Sequence, residues 1–267
     1  MNFRSRLEWI ANNFRQHPAV ETVALAGSES EFRDTYSDYD LYVYAREWIN
    51  PEFRRSILGG DAKRLELHRT FWEDEDAWID ADEVKIEIMY RSCDWTENEI
   101  EARLERHEAS VGYTTAILFN IGRSQALFDR SGWFALQKQR VSIPFPDGLR
   151  NAIITKNYPL LGDIISSYEE QIEVAVHRRD LVSVNHRVAA WLSSFFDILF
   201  AHNRAFHPGE KRMLEHAEKL SSRPTSLRDA VSQVLSSCCQ PTDATVTLLK
   251  NLRKDLAKLL SRPCSAL

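Results

Sequence analysis

"VALAGSESEFRDTYSDYDLYVY", residues 23 to 44, sets an apolar run against a Gly27-Ser28 pair, nine mostly polar residues, and then Asp38 and Asp40 separated by one tyrosine. Side chains alternate across a strand, so "DYDLYVY" puts Asp38, Asp40, Tyr42 and Tyr44 on one face and Tyr39, Leu41 and Val43 on the other. A third acid follows in "EVKIEIMYR", where Val84, Ile86 and Ile88 alternate with Lys85, Glu87 and Met89. Carboxylates held a few ångströms apart raise each other's pKa, and a divalent cation relieves the repulsion. Magnesium takes oxygen ligands and is typically held by one or two carboxylates together with the phosphates of a substrate. A D-x-D with a distant acid therefore points to a two-metal clamp for phosphoryl or nucleotidyl transfer. The upstream glycine lets backbone amides approach a triphosphate, and the Ser28 hydroxyl is placed to donate to it. Blander readings exist for each: D-x-D also serves as a turn or cap at strand starts, and a Lys85-Glu87 alternation equally suits a solvated edge strand. Tyr42 and Tyr44 share the aspartate face, where packing is the ordinary role of a tyrosine and stacking on a base the alternative.

The bulk numbers frame this site. A chain of 267 residues is about what two modest domains use. With 43% hydrophobic and 27% charged residues the composition is that of an ordinary globular protein. A net charge of -5 argues against a nucleic-acid track, which needs a surplus of Lys and Arg facing phosphates, and favours a neutral or cationic small substrate. No stretch approaches the ~20 apolar residues of a membrane span and the N-terminus lacks a signal-peptide core, so a cytoplasmic protein without a membrane partner is expected. Cys93, Cys238, Cys239 and Cys264 show no CxxC spacing and read as free thiols.

Along the chain, Phe3, Leu7, Ile10 and Phe14 predict an opening helix that stops at His17-Pro18. "VETVALAG" predicts the first strand, "PEFRRSIL" a short helix, "AKRLELHRTFW" another strand, and residues 94 to 108 a helix; "TTAILFNIGRSQALFDRSG" is ambiguous between a helix and two strands. The prolines and glycine of "VSIPFPDG" mark a boundary, giving domains at 1–145 and 146–267. Beyond it come helical patterns over 149–178, over Val184 to Ile198, in "GEKRMLEHAEKL" and from Leu249 to Leu259, four or five helices in a bundle. In "YEEQIEV", Glu169, Glu170 and Glu173 read as a solvated helix face.

"AGS", nine residues, and then "DYDLYV" together resemble the Gly-Ser…Asp-x-Asp signature of the nucleotidyltransferase superfamily of DNA polymerase β type, and "KIEIM" resembles its third carboxylate strand. The match covers roughly residues 20 to 90. With a helical half behind it, the chain is similar to the two-domain nucleotidyltransferases of aminoglycosides and lincosamides. The resemblance implies an α+β nucleotidyltransferase-like domain with a mixed sheet followed by an all-α bundle. It also implies Asp38, Asp40 and Glu87 as ligands of Mg2+, with Glu87 a candidate base for the acceptor hydroxyl. Gly27 and Ser28 would hold the β- and γ-phosphates, and Lys211, within "AFHPGEKRML", would reach the phosphates from the helical half. The expected reaction is transfer of AMP from ATP, or of another NMP from its NTP, to a hydroxyl of a small molecule such as an antibiotic, releasing pyrophosphate. One departure stands out: where many members carry a glycine a few residues after Gly-Ser, this loop carries Glu29, Glu31 and Asp34. Two alternatives follow, a transferase acting on a protein or tRNA as in toxin-antitoxin systems, and a catalytically silent binding protein. The sequence leaves open whether copies of the chain assemble as a homo-oligomer.

Overall fold

The computed structural model describes residues 3–26 and 39–261. Its contacts divide the chain into two compact units: Met1–Glu101 with Ile117–Ile143, and Ala102–Ala116 with Pro144–Leu267.

The first unit is a helix-backed mixed sheet. Its elements are α1 (Phe3–Phe14), β1 (Val20–Leu25), β2 (Tyr39–Ala45), α2 (Pro51–Leu58), β3 (Ala62–Arg69), β4 (Glu75–Asp80), β5 (Lys85–Ser92), α3 (Cys93–Leu104), α4 (Ala116–Arg123), β6 (Gln125–Asp129) and α5 (Trp133–Arg140). The six strands run in the order β3-β4-β5-β2-β1-β6. Only β2 and β5 are parallel; every other neighbouring pair is antiparallel. One face carries the core: Leu7, Ile10 and Phe14 of α1 and Ile57 and Leu58 of α2 pack on Val23, Leu41, Val43, Trp78, Ile86 and Ile88. Period-2 alternation turns the other side chains of the same strands to the opposite face, which is polar at Asp40 and Glu87 and packs against α4 and α5 at Tyr42 and Tyr44. α2 starts where Asn50 accepts from the Glu52 amide at 2.8 Å and Pro51 takes the first helical position, which needs no amide donor.

The alternation in "YDLYVY" and "KIEIM" appears as expected, with Leu41, Val43, Ile86 and Ile88 in the core, and "TTAILFNIGRSQALFDRSG" resolves into α4 and then β6. β4 was not foreseen from sequence, because "EDAWID" is half acid. Asp76 and Asp80 are nonetheless buried, Asp80 paired with Arg6 and Asp76 with Arg54. Asp80 also accepts from the amides of Asp82 and Val84, both at 2.9 Å, and so shapes the turn into β5.

The second unit is helical: α6 (Asp147–Gly162), α7 (Tyr168–His177), α8 (Leu181–His202), α9 (Met213–Glu218), α10 (Leu227–Ser237) and α11 (Asp243–Leu260). α8 is the centre, with Trp191 stacked on Phe195 at 5.2 Å among buried side chains of α7, α10 and α11. The expected run over 149–178 is two helices. Asp163 closes α6, Ser166 takes a positive φ of 61, and Ser167 caps α7 by accepting from the Glu170 amide. The described residues after 146 hold six helices rather than four or five; α10 was the one not read. Glu169 is not part of a solvated face either: it is 3% exposed and takes two hydrogen bonds from Arg253.

Residues 110–115 are tied to this unit by a buried polar network. Gly112 donates to Asn157 Oδ1 at 3.0 Å, and the Thr114 amide and hydroxyl donate to Asp197 at 3.1 and 2.7 Å. Gly112 has φ +73, and a Cβ there would fall on the Ser193 hydroxyl, so only glycine fits. Burial pushes the Asp197 carboxyl up to about 6, against the hydrogen bonds from Thr114. An unfolded Asp titrates near 3.9, so as pH falls the native state takes up this proton before the unfolded state does. The Asp197 contribution therefore becomes more favourable as pH drops from about 6 to about 4. We expect wild type to gain unfolding free energy relative to Asp197→Asn over that window in urea titrations; a pH-independent difference would contradict the assignment.

Candidate functional site

The polar face of the first sheet is built in rows, because register partners on neighbouring strands point the same way. One row crosses four strands: Glu66 on β3 pairs with Ala77 on β4, Ala77 with Glu87 on β5, and Glu87 with Asp40 on β2. Asp40 and Glu87 are therefore side by side on the two parallel strands, which lie about 4.8 Å apart. Both are half-buried. β5 lies inside the sheet between β4 and β2, so the solvated-edge explanation of Glu87 does not hold.

Glu87 does not stand without cations. Its Oε1 lies 3.1 Å from Lys85 Nζ and 3.7 Å from Arg69 Nη2. Arg69 is itself fixed by Glu75, to which its Nε donates at 3.1 Å, and by Glu66 at 3.2 Å. Neither cation was singled out from sequence as a site residue. Lys85 had a visible signal, since i and i+2 on a strand share a face; Arg69 had none, since its approach to Glu87 depends on the order of three strands.

Further along the same face, Tyr42 and Tyr44 are packing residues. Tyr42 is 7% exposed; Arg91 lies 4.0 Å from its ring centroid, and Asn120 donates to its hydroxyl at 3.1 Å. Arg91 in turn donates to both carboxylate oxygens of Glu73, at 3.0 and 3.2 Å. Burial raises the Tyr42 hydroxyl above its ordinary value, opposed by Arg91 and reinforced by the negative charges of Glu73 and Asp40. Tyr44 packs on Trp133 and Phe134.

The other expected site residues fall elsewhere. Gly27, Ser28 and Asp38 lie outside the described residues, as do Glu29, Glu31 and Asp34. Lys211 is exposed in the helical unit, directly before Arg212, which has φ 53 at the start of α9. Among the described residues no three His, Cys, Asp or Glu side chains form a metal cluster. The donor set that is described, two carboxylates on adjacent strands, is all oxygen and fits a hard cation such as Mg2+, with room in the ligand count for waters and phosphates. Cys93 and Cys238 are buried free thiols, and burial pushes Cys93 up to about 12. Among the described residues no helix is long and apolar enough to cross a membrane.

No protein-family model and no curated protein matches the chain. Solved structures do match. One is a nucleotidyltransferase-like protein from Exiguobacterium sibiricum, 12% identical with a TM-score of 0.44, over 93% of this chain and 71% of that one. Another is an aminoglycoside 6-adenyltransferase from Bacillus subtilis, 9% identical with a TM-score of 0.29, over 98% of this chain and 93% of that one. The chain itself joins an α+β unit with a mixed sheet to a helical unit.

Proposed function

We propose that the chain is a Mg2+-dependent nucleotidyltransferase that moves AMP from ATP to a hydroxyl of a small molecule. The observation that carries the reading is the pairing of Asp40 with Glu87 on adjacent parallel strands of the polar face, one residue beyond Asp38-Tyr39 in sequence. Asp38, Asp40 and Glu87 are the proposed metal ligands, and Mg2+ held there supplies charge neutralisation at the phosphoryl oxygens. Glu87 accepts the proton of the acceptor hydroxyl; that oxygen bonds to the α-phosphorus as the bond to the β-phosphate oxygen breaks, and pyrophosphate leaves. Gly27 and Ser28 are assigned to the β- and γ-phosphates and Lys211 to the phosphate tail. The division of labour follows the domains proposed from sequence, with 1–145 carrying the chemistry and 146–267 contributing to nucleotide and substrate binding. An antibiotic is the acceptor class to try first, on the sequence resemblance set out above.

The test is incubation with Mg2+ and ATP labelled at the α-phosphate, against aminoglycosides, lincosamides and a small-molecule extract of cell lysate. Label on a small product with equimolar pyrophosphate is expected. Label on a protein or RNA band would replace the acceptor class, and no pyrophosphate with any of the four NTPs would contradict the reading.

A further inference from the structure

The resting partners of Glu87 carry an inference about how the triphosphate is received, and it rests on the function proposed above. We propose that Lys85 and Arg69 are the triphosphate-positioning residues of the site, and that Lys85 exchanges the Glu87 carboxylate for a phosphate oxygen when a divalent cation takes Glu87. Three observations lead there.

Both cations converge on the same oxygen, Glu87 Oε1, at 3.1 and 3.7 Å. A metal ion bonded to that carboxylate and an ammonium beside it repel each other, so the two cannot share the oxygen without loss. The anion that arrives with the metal, a polyphosphate, offers the displaced ammonium a new partner of the right sign at the same place.

The two cations are held differently. Arg69 is clamped by Glu75 and Glu66 and its side chain is only 23% exposed, so its guanidinium stays in place when Glu87 is engaged elsewhere. Lys85 is 43% exposed on a flexible stem. A clamped planar fork and a point charge on a long stem are complementary devices for a flexible chain of phosphates.

Room for this arrangement is written into β4. Ala77 stands between Glu66 and Glu87 in the row and puts only a methyl group there, while Arg69 on the edge strand comes within 3.7 Å of Glu87 on β5. The consequence is an opposition of effects that a purely structural ion pair does not produce. Removing Lys85 frees Glu87 for metal and at the same time deprives the nucleotide of a cation.

The experiment measures two affinities on the full chain: Mn2+ alone, by electron paramagnetic resonance, and a non-hydrolysable ATP analogue with Mg2+, by calorimetry. For Lys85→Gln we expect Mn2+ to bind several-fold tighter than to wild type and the analogue about tenfold weaker, with Lys85→Arg restoring the analogue. Arg69→Gln should weaken the analogue as well, with its thermal unfolding recorded as the check on folding. If Lys85→Gln leaves both affinities unchanged, or weakens both, the exchange is wrong while the site stands. If wild type binds neither Mn2+ nor the analogue, the proposed function fails and takes this inference with it.

Discussion

On the function proposed above, Asp40→Asn and Glu87→Gln should each lower nucleotidyl transfer by about 10^3-fold or more while the protein stays folded. The size follows from what each change removes: one charged ligand of a cation that must neutralise developing charge, and for Glu87 the proton acceptor as well, contributions each worth about 10^2 to 10^4 in rate. Folding should survive because both replacements keep the shape of the side chain, both sites are only half-buried, and the core lies on the other face of the sheet. Initial rates of pyrophosphate release, read beside circular dichroism of the same samples, test this. Activity within tenfold of wild type in either variant would remove that carboxylate from the mechanism.

The largest expected effect on stability is at Arg54. Its side chain is fully buried and donates to the Ile49 carbonyl at 2.9 Å and to Asp74 at 2.8 and 2.6 Å; it lies 3.6 Å from the Tyr90 ring centroid and 3.4 Å from Asp76. Asp76 is buried too, accepting from the Tyr90 hydroxyl at 2.6 Å and the His68 amide at 2.8 Å. Burial raises the Asp76 carboxyl above its ordinary value even with Arg54 in place. Arg54→Ala leaves that carboxylate without its cation in the interior, a loss of about 3 to 5 kcal/mol. Chemical denaturation should show it, and the double change Arg54→Met with Asp76→Asn should recover much of it, since removing both members of a buried pair costs far less than orphaning one. A loss below about 1 kcal/mol in Arg54→Ala would mean that solvent reaches Asp76.

The sequence made legible what depends on local periodicity. The opening helix, the face of "YDLYVY" and the opposition of Ile86 and Ile88 to Glu87 are all set within a few residues, and each appears in the structure. What escaped depends on partners far along the chain. β4 carries no strand pattern of its own because its acids need Arg6 and Arg54 to become buried; Glu169 reads as solvated because Arg253 is 84 residues away. Helix α10 escaped as well. In the site, the D-x-D and Glu87 are visible as residue types, whereas the adjacency of Asp40 to Glu87 requires the parallel pairing of β2 with β5.

The most direct measurement is thermal unfolding of wild type and Asp40→Asn with each of the four NTPs, with and without Mg2+. A ligand at a hundred times its dissociation constant adds about 2.7 kcal/mol to stability. One nucleotide, ATP, should raise the wild-type midpoint by several degrees only when Mg2+ is present, and Asp40→Asn should lose the shift. No metal-dependent shift with any nucleotide, or an equal shift in the variant, would contradict a nucleotide site built on Asp40 and Glu87.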